Sequence, residues 1–340
     1  MKRNEFLGLV PALLASTQTH AAFTRSGEED HLPLVPPYLK KGDKIALTSP
    51  AGYISLEDVQ PSKLQMESWG FEVVIGSTIG KRDNTFGGTD AERLMDLQNL
   101  MDDKHIKAIM CARGGYGVNR ILDQLDLSKF TKNPKWVIGF SDITALHLHL
   151  LKNCNIASIH SKMCNSFPKE WDIAEPMVQE TIYSIKNTLN GSVMSYIGVP
   201  DAYNRKGKSE GVLTGGNLSI IVSMMGTRSE IETDGRILFL EEVGEYLYSL
   251  DRMMTTLYRA GKLHKLKGLV VGGFNRIKTD DPGEEFGHSY QDIIFSKVRE
   301  FDYPVCFQFP VGHQKDNFAL RHGMWHSLNV NETGTTLIQH

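Results

Sequence analysis

Residues 106–117 read IKAIMCARGGYG, and residues 136–146 read WVIGFSDITAL. Each opens as a continuous apolar run, the pattern of a strand buried on both faces of a helix-covered parallel sheet. Each then breaks into glycines or small polar residues where the chain must turn. Working outward, Lys44-Ile45-Ala46-Leu47-Thr48 is predicted as an earlier strand, closed by the turn Ser49-Pro50-Ala51-Gly52. Further strands are expected over 71–75, 106–112 and 136–140, with helices over 56–69, 91–101, 118–125 and from 142 through 152. Regular strand–helix alternation predicts an α/β protein whose first domain, 38–167, is a parallel sheet of Rossmann or flavodoxin-like type. Residues 168–208 are polar and irregular, with one helix expected near 176–189, and read as a linker. Residues 209–340 are expected to form a mixed α+β domain, with strands near 236–240, 269–272 and 304–309 and helices near 248–260 and 290–300.

The 340 residues carry 37 Lys plus Arg against 40 Asp plus Glu, a formal net charge of −3. That balance offers no basic excess to neutralise phosphates, which argues against a nucleic-acid binder. A hydrophobic fraction of 41% describes an ordinary globular chain rather than a disordered one. The four cysteines, Cys111, Cys154, Cys164 and Cys306, form no C-x-x-C pair, so neither a disulfide framework nor a structural zinc site is expected. Residues 1–21 have the layout of a secretory signal peptide: Lys2 and Arg3, then an apolar stretch from Phe6 to Ala15, then Ala21 at a cut point. That layout points to a periplasmic or secreted mature protein, with a cytoplasmic one as the alternative. The apolar stretch is too short to span a bilayer, and no later one reaches spanning length.

Functional groups in parallel sheets collect at the carboxyl ends of the strands. Two loops fit, Arg113 to Gly117 and Gly139 to Asp142. Ser141 lies on a strand-to-helix turn, where it serves either as a plain N-cap or as a nucleophile beside helix N–H groups. The elbow pattern G-x-S-x-G fails at Ile143. The glycines of Arg113-Gly114-Gly115-Tyr116-Gly117 fit either a tight turn or a backbone cradle for an oxyanion or carboxylate. A dinucleotide fingerprint fails at Arg120, which makes a nicotinamide enzyme remote, and no P-loop lysine follows. Glu241 ends a buried strand, unusual for a carboxylate unless it is paired or orients something. His313 follows Val311-Gly312. His147 and His149 are two apart on a helix and face apart, so they make no metal pair.

Taken together these segments resemble the LD-carboxypeptidase family, the muramoyltetrapeptide carboxypeptidases, with the microcin-immunity hydrolases as a sister branch. The resemblance runs from about Lys41 to Asn329. It rests on Gly42-Asp43-Lys44-Ile45, Ser49-Pro50-Ala51-Gly52, the stretch Phe86 to Arg93, Ala112 to Gly117, Gly139 to Ala145, Leu213 to Leu218, Leu240-Glu241-Glu242 and Val311-Gly312-His313. It implies a serine hydrolase with Ser141 as nucleophile, Glu241 as carboxylate and His313 as base, Ser141 in the first domain and the other two in the second. The backbone N–H groups of Gly115 and Asp142 are candidates for the oxyanion hole, and Arg113, Gly114 and Tyr116 for substrate binding. The implied substrate is a peptidoglycan tetrapeptide, cut between the L-centre of a diamino acid and a terminal D-Ala, with no cofactor or metal. Homodimers are common among such enzymes, so one is expected here. Cleavage of acyl-sulfamoyl or other acyl–amino acid conjugates, and muropeptide binding without cleavage, are the alternatives. Two departures bear on substrate choice. Ser161-Lys162-Met163 stands where the family often has Gly-Pro-Met, and Leu320-Arg321-His322-Gly323 where it often has Leu-Pro-Leu-Gly.

Overall fold

Strand β1 (Lys44–Thr48) lies second from one edge of the first sheet, in a computed structural model that describes residues 32–340. The leader expected over 1–21 lies outside the described residues. After β1 come α1 (Leu56–Ser68), β2 (Glu72–Ile75), α2 (Asp90–Asp102), β3 (Ile106–Cys111), α3 (Ser128–Lys132), β4 (Trp136–Gly139), α4 (Thr144–Cys154) and β5 (Ser158–His160). The strands β1 to β5 pair in parallel. All of β4 and all of β3 except Lys107 are buried, as their unbroken apolar runs require. Helix α2 begins with a capping box in which Thr89 and Glu92 each satisfy the other's backbone N–H.

The rest of the chain adds α5 (Pro176–Leu189), β6 (Met194–Gly198), β7 (Gly207–Asn217), α6 (Leu218–Ser223), β8 (Ile237–Val243), α7 (Leu247–Arg259), β9 (Gly268–Asn275), α8 (Tyr290–Val298), β10 (Val305–Cys306), β11 (Leu320–His322), β12 (Trp325–Asn331) and β13 (Gly334–Gln339). Seven of these strands form a second, mixed sheet in the order β10-β9-β8-β7-β12-β13-β6. The eighth, β11, crosses back and pairs antiparallel with β5, so the first sheet runs β11-β5-β4-β3-β1-β2. Residues 38–167 therefore do not complete the first sheet by themselves. The segment 168–208 holds the expected helix at α5 and also the edge strand β6.

Two expected elements take other forms. The helix expected over 118–125 is a pair of 3₁₀ turns, Val118–Arg120 and Leu122–Gln124. It starts from Gly117 at φ 145°, and the Asp142 side chain takes the Val118 N–H at 2.9 Å. The strand expected over 304–309 shrinks to two residues, because Gln308 turns left-handed at φ 53°.

Helix α4 joins the two sheets. Every residue from Thr144 to Leu151 is buried, the mark of a helix enclosed on all sides. Its Leu146 and Leu150 share one core with Leu218, Leu238 and Leu240 of the second half. His147 and His149 point to different partners, the Gly139 carbonyl at 2.9 Å and the Ser229 hydroxyl at 2.7 Å.

Candidate active site

Ser141 has φ 63°, a left-handed conformation in a residue other than glycine. Such backbone costs about 1–3 kcal/mol and persists where surrounding structure enforces it. The preceding Phe140 is extended, and the chain folds straight into the 3₁₀ turn Ser141–Ile143 and then α4. The hydroxyl does not cap the helix. Neither that turn nor α4 has a side-chain capping bond, and among the described residues the Ser141 hydroxyl has no hydrogen-bond partner. The capping role that serine could have played is thus unused, and the hydroxyl is half-buried but uncommitted.

The glycine loop lies directly against it. A Cβ on Gly114 would stand 3.0 Å from Ser141 Cβ and 3.2 Å from its Oγ. The Gly114 carbonyl accepts the Gly52 N–H at 3.0 Å, which docks the 49–52 turn on the loop. Gly115 is exposed at φ 103°, and its N–H has no partner among the described residues. Arg93, fully buried, fastens the loop from below by donating to the carbonyls of Pro50 and Gly117 and to the Asp90 carboxylate. From the other side Asp142 accepts the Val118 N–H; burial pushes its carboxyl up to about 6. Arg113 is exposed and donates to the Tyr53 carbonyl at 3.0 Å, and Tyr116 is exposed beside Phe86. Of the three residues expected to bind substrate, Gly114 is closely packed at Ser141, and Arg113 and Tyr116 are exposed.

Glu241 and His313 meet. Glu241 lies in β8 where its pairing with β9 shifts register, and its side chain is wholly buried. Its Oε2 accepts from His313 Nδ1 at 2.6 Å and from the His313 backbone N–H at 3.2 Å. Gly312 makes this approach possible. It sits at φ 101°, and a Cβ there would fall 2.4 Å from Glu241 Cβ. Burial alone would lower the His313 pKa, but the bond and charge of Glu241 outweigh it and hold the imidazole above the usual histidine value. The ring packs on Phe140 with centroids 4.8 Å apart, which places it next to the residue preceding Ser141. No hydrogen bond joins His313 to Ser141. Catalytic contacts often close only around substrate.

Several supporting residues had no individual role assigned from the sequence. Glu242, buried beside Glu241, accepts from Asn217 Nδ2 at 3.0 Å and from the Ser219 N–H at 2.7 Å. The Asn217 N–H in turn donates to Thr144 Oγ1 at 3.1 Å, tying the start of α4 to β7. Asn317 holds the Gly312 N–H at 2.9 Å, and Asn275 holds the His313 carbonyl at 2.9 Å. Asn217 and Glu242 both lie in motifs of the resemblance, but nothing in the sequence pairs them. Arg321 of the second departure is structural: it is buried and donates to the carbonyls of Thr188 and Ser192 at the end of α5. A cavity of about 230 Å³ opens beside the His313 loop, lined by Phe274, Asn275, Tyr290, Gln308, Gln314 and Asp316 among others. Among the described residues no cluster of His, Cys, Asp and Glu is arranged to hold a metal ion, and no helix is long and apolar enough to cross a membrane.

Residues 45–161 match the family described as LD-carboxypeptidase N-terminal domain, and residues 210–328 match the LD-carboxypeptidase C-terminal domain. The chain is 30% identical over 304 residues to the probable murein peptide carboxypeptidase of Bacillus subtilis, covering 87% of this chain and 92% of that one. It is also 30% identical to the murein tetrapeptide carboxypeptidase of Pseudomonas aeruginosa, over 82% and 91% of the two chains. Among solved structures it resembles muramoyltetrapeptide carboxypeptidase from Oxalobacter formigenes, with TM-score 0.77, 29% identity, and coverage of 87% and 98%. It shares its fold with the microcin C7 self-immunity protein MccF bound to aspartyl sulfamoyl adenosine, at TM-score 0.78 and 21% identity, over 91% and 99%.

Proposed function

Because this chain belongs to the LD-carboxypeptidase family and is a serine-type carboxypeptidase, we propose that it removes the terminal D-Ala of peptidoglycan tetrapeptides through a triad of Ser141, His313 and Glu241. The observation that carries this reading is the Glu241–His313 pair at 2.6 Å, seated next to a left-handed serine with an uncommitted hydroxyl. Glu241 holds the Nδ1 proton, which leaves Nε2 as the base. As Ser141 Oγ attacks the carbonyl of the diamino acid, His313 takes its proton, and Glu241 stabilises the imidazolium. The oxyanion forms opposite the N–H groups of Gly115 and Asp142. His313 then returns the proton to the departing D-Ala nitrogen, leaving an ester on Ser141. Water, deprotonated by the same histidine, hydrolyses that ester.

In this reading Arg113, Gly114 and Tyr116 border the substrate at the glycine loop. The nucleophile comes from the first-sheet half (38–167), and the base and carboxylate come from residues 209–340. The expected leader would place the mature enzyme outside the inner membrane, acting on stem peptides there, as a homodimer. An intact Glu–His pair favours cleavage over simple muropeptide binding.

Mass spectrometry on the purified protein with L-Ala-γ-D-Glu-meso-diaminopimelate-D-Ala tests the reading, with Ser141→Ala beside it. Release of one alanine by wild type and not by the variant is expected. An intact folded protein that releases none would transfer the assignment to acyl–amino acid conjugates or to binding.

A further inference from the structure

Gly117 and Val118 share one peptide unit, and buried charged side chains take both of its polar groups. Arg93 Nη1, on α2, donates to the Gly117 carbonyl at 2.8 Å, and Asp142 Oδ2, next to the serine, accepts the Val118 N–H at 2.9 Å. The same Arg93 nitrogen donates to the Pro50 carbonyl, in the turn that docks on the glycine loop. That turn holds a second peptide unit, since the Gly52 N–H bonds the Gly114 carbonyl at 3.0 Å. In a trans peptide the N–H lies opposite the C=O, so the Gly115 N–H is turned away from Gly52. The glycine loop is thus fixed at two places, by the 49–52 turn at Gly114 and by Arg93 and Asp142 at the Gly117–Val118 peptide.

Asp142 is a costly way to make that bond. It is only 1% exposed, and its other oxygen, Oδ1, is buried without a partner among the described residues. A carboxylate in that state weakens a fold rather than strengthening it, and burial accordingly raises its pKa. A neutral side chain would serve stability better. What the bond does achieve is to tie the turn that carries Ser141, left-handed at φ 63°, to the loop packed against it.

We propose that the Asp142 side chain is a positioning residue for the oxyanion hole. One residue then serves both halves of the hole. Its backbone N–H is one donor, and its carboxylate holds the loop that carries the other donor, on Gly115. Arg93 holds the same peptide from the far side and, through Pro50, the turn behind it. With the Asp142 bond lost, the two donors would no longer converge on one oxygen, while the groups that bind the peptide chain would stay in place. This inference rests on the carboxypeptidase reading and names what sets the geometry of that site.

The test is steady-state release of D-Ala from L-Ala-γ-D-Glu-meso-diaminopimelate-D-Ala, with kcat expressed per folded enzyme as measured by circular dichroism. Asp142→Ala should lower kcat roughly 100- to 1000-fold and leave KM within about threefold of wild type, because the oxyanion exists only in the transition state. Asp142→Asn keeps an oxygen for the Val118 N–H and should recover at least about 10-fold of that loss. Gly52→Ala acts from the other side of the loop. Its Cβ would stand 2.7 Å from the Gly114 carbonyl oxygen and push the loop, so kcat should fall about 10-fold or more at unchanged KM. That variant decides the matter even if Asp142→Ala does not fold. Lower stability with kcat per folded enzyme intact would overturn the proposal. So would a change in KM alone, or an Asp142→Asn no better than Asp142→Ala. A wild type that releases no alanine would instead sink the carboxypeptidase reading, and this inference with it.

Discussion

His313 binds its proton more tightly than a histidine in water, since Glu241 outweighs the effect of burial. In the proposed mechanism the base is the neutral ring, so kcat/KM should rise with pH and reach half-maximum above the ordinary histidine value of 6.5. Glu241→Gln removes the charge that raises this pKa. The acid limb should move to lower pH while kcat falls by roughly 100- to 10,000-fold, as the imidazole loses the group that fixes its tautomer. A pH–rate profile of the two proteins checks both parts, and an unmoved limb would mean that Glu241 is not what tunes His313. Glu241, His313 and Ser141 were legible as candidates through the set of motifs that carries the family resemblance, since each residue alone also fits an ordinary structural role. The role of Arg93 was not. A buried cation is recognisable only when the fold shows what surrounds it, and in the sequence Arg93 is one more helix residue in an exposed-looking D-A-E-R.

The helix α4 and the strand β7 meet at Gly216, whose φ is 141° and whose hypothetical Cβ would lie 2.6 Å from the Thr144 side chain. Thr144 opens the helix that Ser141 leads into. Gly216→Ala should therefore cost about 1–3 kcal/mol and also lower kcat, because the strand must back away from the turn. Gly226→Ala is the control. That glycine is left-handed too, at φ 76°, but nothing lies within 4 Å of its Cβ, so only about 1 kcal/mol and no kcat loss are expected. Urea unfolding and turnover of both variants decide the matter, and equal effects would show that strain alone is at work. The strands of the first sheet were readable because burial on both faces demands unbroken apolar runs. Strands β7, β12 and β13 escaped for the opposite reason. Gly207 to Glu210 alternate between half-buried and exposed, Trp325 to Asn331 bury only alternate residues, and their polar faces hide the strand. The three residues of β11, two of them Arg321 and His322, carry no apolar signal, and only their pairing with β5 makes them a strand.

The two sheets share one core through α4 and exchange a strand through β11. Urea denaturation followed by Trp136, wholly buried in the first sheet, and by far-ultraviolet circular dichroism should give a single coincident transition. Two separated transitions would show that the halves fold independently, against the topology. The parallel sheet of the first half could be expected from alternation and the second half as mixed α and β from its strand-like runs, whereas the return of β11 could not, since pairing across about half a chain leaves no local trace. That return also sets a timetable. A ribosome adding about 5–20 residues per second finishes β4 tens of seconds before it delivers His313 and the strand that edges the first sheet. A nascent chain therefore carries the proposed nucleophile long before the proposed base, and the proposed triad stays incomplete until the His313 loop has been made.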